Sequence, residues 1–212
     1  MRIPLWIEAS RLKVVVFGAG SVGSRRAKLF VSAGAKVRVV AKEVDSSLEG
    51  LGVEIKRADL YLYDPSDDIR WADLVVVAVN DERLADKLFA MAQSAGKLVN
   101  DATNASRTHV VVPYFRDVEG IRVATTSEGA AGTPARLALD VIEDCLKRSW
   151  IPQFYKAYAS AKEDAKRSVR DVKSRLRFYQ ELVDDNLFME LVRRGDVEGA
   201  VRRAREILKK YI

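Results

Sequence analysis

An apolar run meets a glycine-rich turn in Lys13-Val14-Val15-Val16-Phe17-Gly18-Ala19-Gly20-Ser21-Val22-Gly23. The run is mostly β-branched and shows no polar alternation, which is typical of a strand buried on both faces. Apolar residues then recur at helical spacing as far as Ala33, and Gly34 marks the end of that helix. This stretch therefore predicts a strand, a tight turn and a helix, the first half of a βαβ unit.

Strands and helices alternate over the first hundred residues, which predicts a parallel sheet. Further strands are predicted at residues 36–40, 53–56 and 74–79 and from Leu98 onward. The pattern then changes to β-like segments at 108–113 and 121–126. A helix follows, with Thr133 as its N-cap, Pro134 as its first residue and Cys145 on its apolar, core-facing side. The chain beyond Pro152 is predicted to be wholly helical.

The expected fold class is therefore α/β. An N-terminal Rossmann-type parallel sheet would be followed by a small α+β segment and a helical C-terminal module. We place the domain boundaries at residues 1–107, 108–150 and 151–212.

Composition narrows the class of protein. The chain has 212 residues and is 48% hydrophobic, which provides a core and excludes a disordered chain. One Cys and one His exclude a disulfide framework and a Cys/His zinc site, so we expect a cytoplasmic protein that holds no metal. The longest apolar run, residues 74–79, is far shorter than the roughly 20 residues of a membrane span. We expect no membrane partner.

The positive charge is concentrated in the last third of the chain. Residues 151–212 contain 15 Lys+Arg and 10 Asp+Glu, a net +5 of the total +6. Basic surfaces attract anions, although most such residues are simply a solvated helix face. Because acids such as Asp184 and Asp185 interrupt the basic residues and no docking motif is present, we expect no nucleic-acid partner.

The glycine-rich turn matches the pattern G-x-G-x-x-G between a predicted strand and a predicted helix. Such glycines let backbone N–H groups and a helix N-terminus approach a pyrophosphate, which predicts a bound dinucleotide; the alternative is a structural turn. The candidate cofactor-binding residues are Gly18, Gly20, Ser21, Val22 and Gly23.

Two further candidates, Lys42 and Glu43, follow the second predicted strand. An acid there would bind the ribose hydroxyls of NAD, whereas a lysine would meet the 2′-phosphate of NADP. The residues alone leave both coenzymes open, and a solvated strand end is the alternative.

Four segments, taken in order, resemble the precorrin-2 dehydrogenase / sirohydrochlorin ferrochelatase family, the dehydrogenase module of siroheme synthases. They are Ile3-Pro4-Leu5-Trp6, the glycine turn with Arg25-Arg26-Ala27-Lys28, the stretch from Val99 to Pro113, and the stretch from Thr126 through Thr133-Pro134 to Ala138. The resemblance covers residues 3 to about 140.

The resemblance implies NAD-dependent oxidation of precorrin-2 to sirohydrochlorin by a homodimer, with residues 108–150 as the dimerisation segment. Some members of the family also insert Fe²⁺ to give siroheme. Precorrin-2 carries eight carboxylates, which the basic C-terminal module would attract. An alternative from another class is a regulatory Rossmann module that only senses NAD(H).

The candidate catalytic residues are Asp101, Thr103 and Ser127. Asp101 follows a predicted strand at the carboxyl edge of the sheet, where it would act as a base; the alternative is that it caps a turn. By the resemblance, the key aspartate of the family falls on Thr103. Asp101 lies two residues earlier on the same strand face, so either it substitutes or the site lacks this carboxylate. Ser127 matches the family's serine at the tetrapyrrole site, and otherwise is a hydroxyl in a glycine-containing turn.

Overall fold

A computed structural model describes residues 2–212 of the chain. The chain divides into two units, residues up to 112 with 128–130, and residues 113–127 with 131–212. The predicted boundary at residue 107 falls inside the first unit, and the segments 108–150 and 151–212 fall mainly in the second. Each unit is described by itself.

The first unit contains a five-stranded, wholly parallel sheet in the order β3-β2-β1-β4-β5. Its strands are β1 (Lys13–Phe17), β2 (Lys36–Ala41), β3 (Glu54–Arg57), β4 (Leu74–Val77) and β5 (Leu98–Asp101). Its helices are α1 (Ser21–Ser32), α2 (Ser66–Trp71) and α3 (Glu82–Ser94), with short 3₁₀ turns at Ala9–Arg11 and Ser46–Leu48. The strand order reverses between β1 and β4, and crevices for ligands form at such a reversal.

Both faces of the sheet are covered by apolar side chains. Val15 of β1 packs in a cluster with Val75 and Leu88, whereas Val14 and Val16 belong to a second cluster with Ala27 of α1. Because successive residues of a strand point to opposite faces, β1 contributes to both clusters. This double burial explains the unbroken apolar run in the sequence.

The second unit combines a hairpin with a helical module. The hairpin strands are β6 (Tyr114–Val118) and β7 (Ile121–Thr125), which pair antiparallel, and α4 (Gly132–Arg148) packs on them. The module consists of α5 (Ile151–Ser168), α6 (Val172–Asp184), α7 (Asn186–Arg193) and α8 (Val197–Leu208). Its core is centred on Phe178, Leu182 and Phe188, with small residues such as Ala157 and Ala204 where helices approach closely.

Three local expectations are wrong. Residues 108–113 form no strand: the N–H groups of His109 and Val110 both donate to one carbonyl oxygen, that of Val99 in β5, and do not continue as a regular ladder. Thr133 is not the N-cap of α4, because the helix begins at Gly132, two residues before the predicted start at Pro134, and its N-cap is Ala131. Cys145 is exposed rather than in the core, since the side of α4 that bears it is not covered within residues 2–212.

Candidate functional site

The glycine turn is built from two tightly packed glycines and one open glycine. Gly18 has φ +94°, and a Cβ there would lie 2.3 Å from the carbonyl oxygen of Ala78, just beyond β4. A Cβ at Gly23 would lie 2.0 Å from the carbonyl oxygen of Gly18. At Gly20, by contrast, an added Cβ meets nothing within 4 Å. The outer glycines therefore pack α1 against the sheet, and Gly20 leaves open space in front of the turn.

The helix behind this turn begins without a side-chain cap. Gly20 is the N-cap of α1 and has no side chain to accept a hydrogen bond from the first turn. The N–H groups of the first turn, from Ser21 to Gly23, and the positive end of the helix dipole thus face outward. Because this arrangement leaves room and positive potential for a pyrophosphate, the residues fit a dinucleotide coenzyme.

The two residues after β2 are both exposed. Lys42 Nζ lies 3.4 Å from Oδ2 of Asp59, a residue just beyond the parallel neighbour β3 that sequence reasoning missed. A backbone hydrogen bond from Tyr61, followed by the bond from Lys42, lowers the pKa of Asp59. Asp59 thus offsets part of the charge of Lys42, whereas Glu43 faces solvent at the same edge.

The carboxylate of Asp101 is buried at the end of β5. Oδ1 accepts hydrogen bonds from Thr103 N (2.8 Å), Thr103 Oγ1 (2.7 Å) and Asn104 N (3.2 Å). Oδ2 accepts one from Nε of Arg107 at 2.6 Å. Each carboxylate oxygen has about two acceptor positions, so those of Oδ1 are in use, whereas Oδ2 accepts only the bond from Arg107. Asp101 therefore shapes the turn that follows it, while Thr103 is exposed on that turn.

Arg107 ties this turn to α3 and was not singled out by sequence reasoning. Besides Asp101, its guanidinium pairs with Asp86 and lies 4.7 Å from the ring centroid of Phe89. Burial alone would lower the pKa of Arg107, but its bonds to the two aspartates raise it. His109 contacts the same Phe89 ring edge-on, with 5.4 Å between centroids. An Asp-x₅-Arg spacing is too common in sequences to have revealed this cluster.

Ser127 lies in the second unit, two residues after β7. Its Oγ accepts a hydrogen bond from Ala131 N at 2.8 Å, directly before α4. The hydroxyl thus closes the turn that leads into this helix. Its contact with a substrate stays a prediction.

Part of the positive charge of the helical module is offset by ion pairs. Asp164 binds both Arg167 and Arg205, and Asp185 accepts two hydrogen bonds from Arg203. That the remaining basic residues attract a polycarboxylate substrate stays a prediction. Within residues 2–212 there is no cluster of three or more His, Cys, Asp or Glu side chains that could hold a metal. Nor does that part of the chain contain a helix with the length and apolar character to cross a membrane.

The strand order, the glycine turn and the uncapped helix define the first unit as a Rossmann-type dinucleotide-binding domain. The chain belongs to the family described as "Putative NAD(P)-binding", which matches residues 5–114. That match spans the sheet and the turn after β5.

Similar proteins extend the comparison beyond this domain. A Mannheimia succiniciproducens protein named "Siroheme synthase" is 28% identical over 98% of this chain and 44% of its own length. A Methanocaldococcus jannaschii protein named "Putative precorrin-2 dehydrogenase" is 26% identical over 85% of this chain and 94% of its own length. The chain thus spans less than half of its siroheme synthase relatives.

A solved structure titled "SirC, precorrin-2 dehydrogenase" covers 99% of this chain and 100% of its own, with TM-score 0.69 and 19% identity. This likeness confirms the predicted α/β fold along the whole chain. The resemblance to the precorrin-2 dehydrogenase family is confirmed by the names of these relatives.

Proposed function

We propose that the protein oxidises precorrin-2 to sirohydrochlorin with NAD as the coenzyme, NADP being the alternative. The observation that carries the proposal is the open Gly20 turn in a chain that aligns with nearly all of the M. jannaschii relative. Bound NAD⁺ would take a hydride from the reduced macrocycle, whose oxidation also releases one proton. The protein then has to bind both molecules in register and receive that proton.

The residues divide this work by position. Gly18, Gly20, Ser21, Val22 and Gly23 hold the pyrophosphate, and Lys42 and Glu43 meet the adenosine ribose. Asp101, Thr103 and Ser127 remain the proposed substrate residues. Ser127 stands next to the uncapped N-terminus of α4, which suits a carboxylate of the substrate.

Three further parts of the proposal concern assembly, place and metal. The chain forms a homodimer through residues 108–150, where Leu137, Val141 and Ile142 expose apolar surface on α4. It works in the cytoplasm. Fe²⁺ would enter as a substrate for chelation, a secondary activity because Thr103 stands where the family's aspartate is expected.

A second candidate function is an NAD(H)-sensing module without catalysis. The burial of Asp101 favours it, because the side chain has 0% exposure and its hydrogen bonds go to Arg107 and to the turn that follows it, which leaves no direct access for a substrate. Such a sensor would bind NADH and leave precorrin-2 unchanged.

The test is an anaerobic incubation with precorrin-2 and either NAD or NADP, followed by the absorbance of sirohydrochlorin. Formation of sirohydrochlorin with NAD supports the dehydrogenase proposal. Binding of NADH without formation of sirohydrochlorin in the presence of NAD or NADP supports the sensor. Addition of Fe²⁺ or Co²⁺ to the product tests chelation separately.

A further inference from the structure

We infer that the Thr103 hydroxyl accepts a hydrogen bond from a pyrrole N–H of the substrate, and that Asp101 and Arg107 are positioning residues that aim it. The inference rests on the proposed function and deepens it. It assigns Thr103 the contact with substrate and assigns Asp101 an indirect role through Thr103.

The direction of the Thr103 hydrogen bond determines what this side chain offers a ligand. Its hydroxyl donates its single proton to Asp101 Oδ1 at 2.7 Å. Within residues 2–212 this is the one hydrogen bond that Thr103 Oγ1 makes, and the residue is exposed. A hydroxyl has one donor and two acceptor positions, so the positions left for a ligand are acceptors. Thr103 therefore selects an N–H or O–H donor.

The charge behind the hydroxyl strengthens this acceptor. The Asp101 side chain has 0% exposure, and Arg107 holds it by Nε while also binding Asp86. Hydrogen bonds that are linked in a chain polarise one another. A hydroxyl that donates to a buried carboxylate is therefore a stronger hydrogen-bond acceptor. The bonds from the backbone N–H groups of Thr103 and Asn104 fix the turn itself.

The position of the turn points to the reacting end of the crevice. The phosphate-binding turn follows β1, and the ribose-binding residues follow β2 on one side of it. An extended dinucleotide then continues toward the carboxyl ends of β4 and β5 on the other side. Thr103 lies beyond β5 on that side. A reduced tetrapyrrole held there presents pyrrole N–H groups, the donors that an acceptor-only hydroxyl fits.

The experiment compares Thr103→Val, which removes the hydroxyl at constant shape, with Thr103→Ser, which restores it. Ser106→Ala is the matched control, because it removes a hydroxyl from the same loop that bonds Asn104 rather than Asp101. The measurements are the Kd of sirohydrochlorin and of NADH by quenching of tryptophan fluorescence, and kcat/KM for precorrin-2. For T103V we expect a roughly threefold to tenfold weaker Kd for sirohydrochlorin and a similar loss of kcat/KM. NADH binding should be unchanged, and T103S and S106A should stay within about twofold of wild type.

Arg107→Met tests the positioning role. If Arg107 acts through Thr103, then R107M lowers kcat/KM, and adding R107M to T103V causes no further loss. If the losses of kcat/KM in R107M and T103V add in the double variant, the positioning role is overturned. Thermal unfolding identifies an R107M protein that has not folded.

The outcomes separate this inference from the proposed function. Wild-type protein that binds sirohydrochlorin but fails to turn over precorrin-2 contradicts the dehydrogenase proposal alone. A T103V protein with wild-type affinity for sirohydrochlorin overturns the inference. A T103V protein that loses affinity for NADH instead also overturns it. Wild-type protein that does not bind sirohydrochlorin overturns both.

Discussion

The Cβ of any side chain at position 23 would lie 2.0 Å from the carbonyl oxygen of Gly18. That oxygen is backbone, held between β1 and the end of β4, so α1 itself must shift. We predict that Gly23→Ala lowers the free energy of unfolding by roughly 1 to 3 kcal/mol and weakens NADH binding. Thermal unfolding and a fluorescence titration with NADH measure the two effects.

The matched control is Gly20→Ala in the same turn. Because a Cβ at Gly20 meets nothing within 4 Å, this variant should keep the wild-type Tm. Its methyl group would fill the open space before the turn, and NADH binding should weaken nonetheless. Equal affinity for NADH in wild type and G20A would contradict the assignment of this turn to the coenzyme.

The sheet and the glycine turn were predictable because their signals are local. Four buried residues, a turn and an amphipathic helix follow one another in the sequence, and burial on both faces of the sheet explains the apolar run. The environment of Asp101 was not predictable, since it depends on Arg107, Asp86 and Phe89, which meet only in the folded chain. The strand predicted at residues 108–113 is absent because its fate also depends on the folded chain. This apolar, β-branched segment bonds to one carbonyl group, Val99 O, without extending the sheet. Cys145 has helical spacing but lies on a face that residues 2–212 leave uncovered.

Asp68 of α2 is the centre of a buried ion cluster in the first unit. Its side chain has 0% exposure and accepts hydrogen bonds from Arg38 (2.7 Å), Lys56 (2.6 Å) and the Tyr63 hydroxyl (2.7 Å). We predict that Asp68→Asn costs about 3 to 5 kcal/mol of stability, because two cations lose their buried partner. The neighbouring Asp67→Asn is the control: Asp67 is exposed and pairs with Arg70 at the surface, so its loss should cost less than about 1 kcal/mol.

The same cluster makes stability depend on pH. Burial alone would raise the pKa of Asp68, but hydrogen bonds from Lys56, Tyr63 and Arg38 hold it below its usual value. The folded pKa is depressed, so the stabilisation is complete above the unfolded value of roughly 3.9 and is lost as pH falls through the folded value. Urea unfolding at several pH values below 5 should show a steeper decline for wild type than for D68N. Parallel curves would rule out this role for Asp68.

Coenzyme preference depends on the two exposed residues after β2. We expect wild-type protein to bind NAD more tightly than NADP, because Asp59 already offsets the charge of Lys42 and leaves Glu43 to meet the ribose hydroxyls. Glu43→Gln should reduce the preference for NAD over NADP about tenfold, because a hydrogen bond to a charged group is lost. Lys42→Met should weaken NADP binding and leave NAD binding nearly unchanged. Calorimetric titration with both coenzymes provides the comparison, and tighter NADP binding by the wild type would reverse the assignment.

The exposed face of α4 provides the test of the proposed homodimer. Val141 is 69% exposed, next to Leu137 and Ile142 on the same helix, so a charge there should not harm the fold of a single chain. We predict that Val141→Asp converts a dimer to a monomer in sedimentation velocity with little change in helicity by circular dichroism. Leu62→Asp is the control, since Leu62 is 89% exposed but lies in the first unit, outside residues 108–150. A V141D protein that sediments as wild type would exclude this face from the interface, and a wild-type monomer would exclude the dimer.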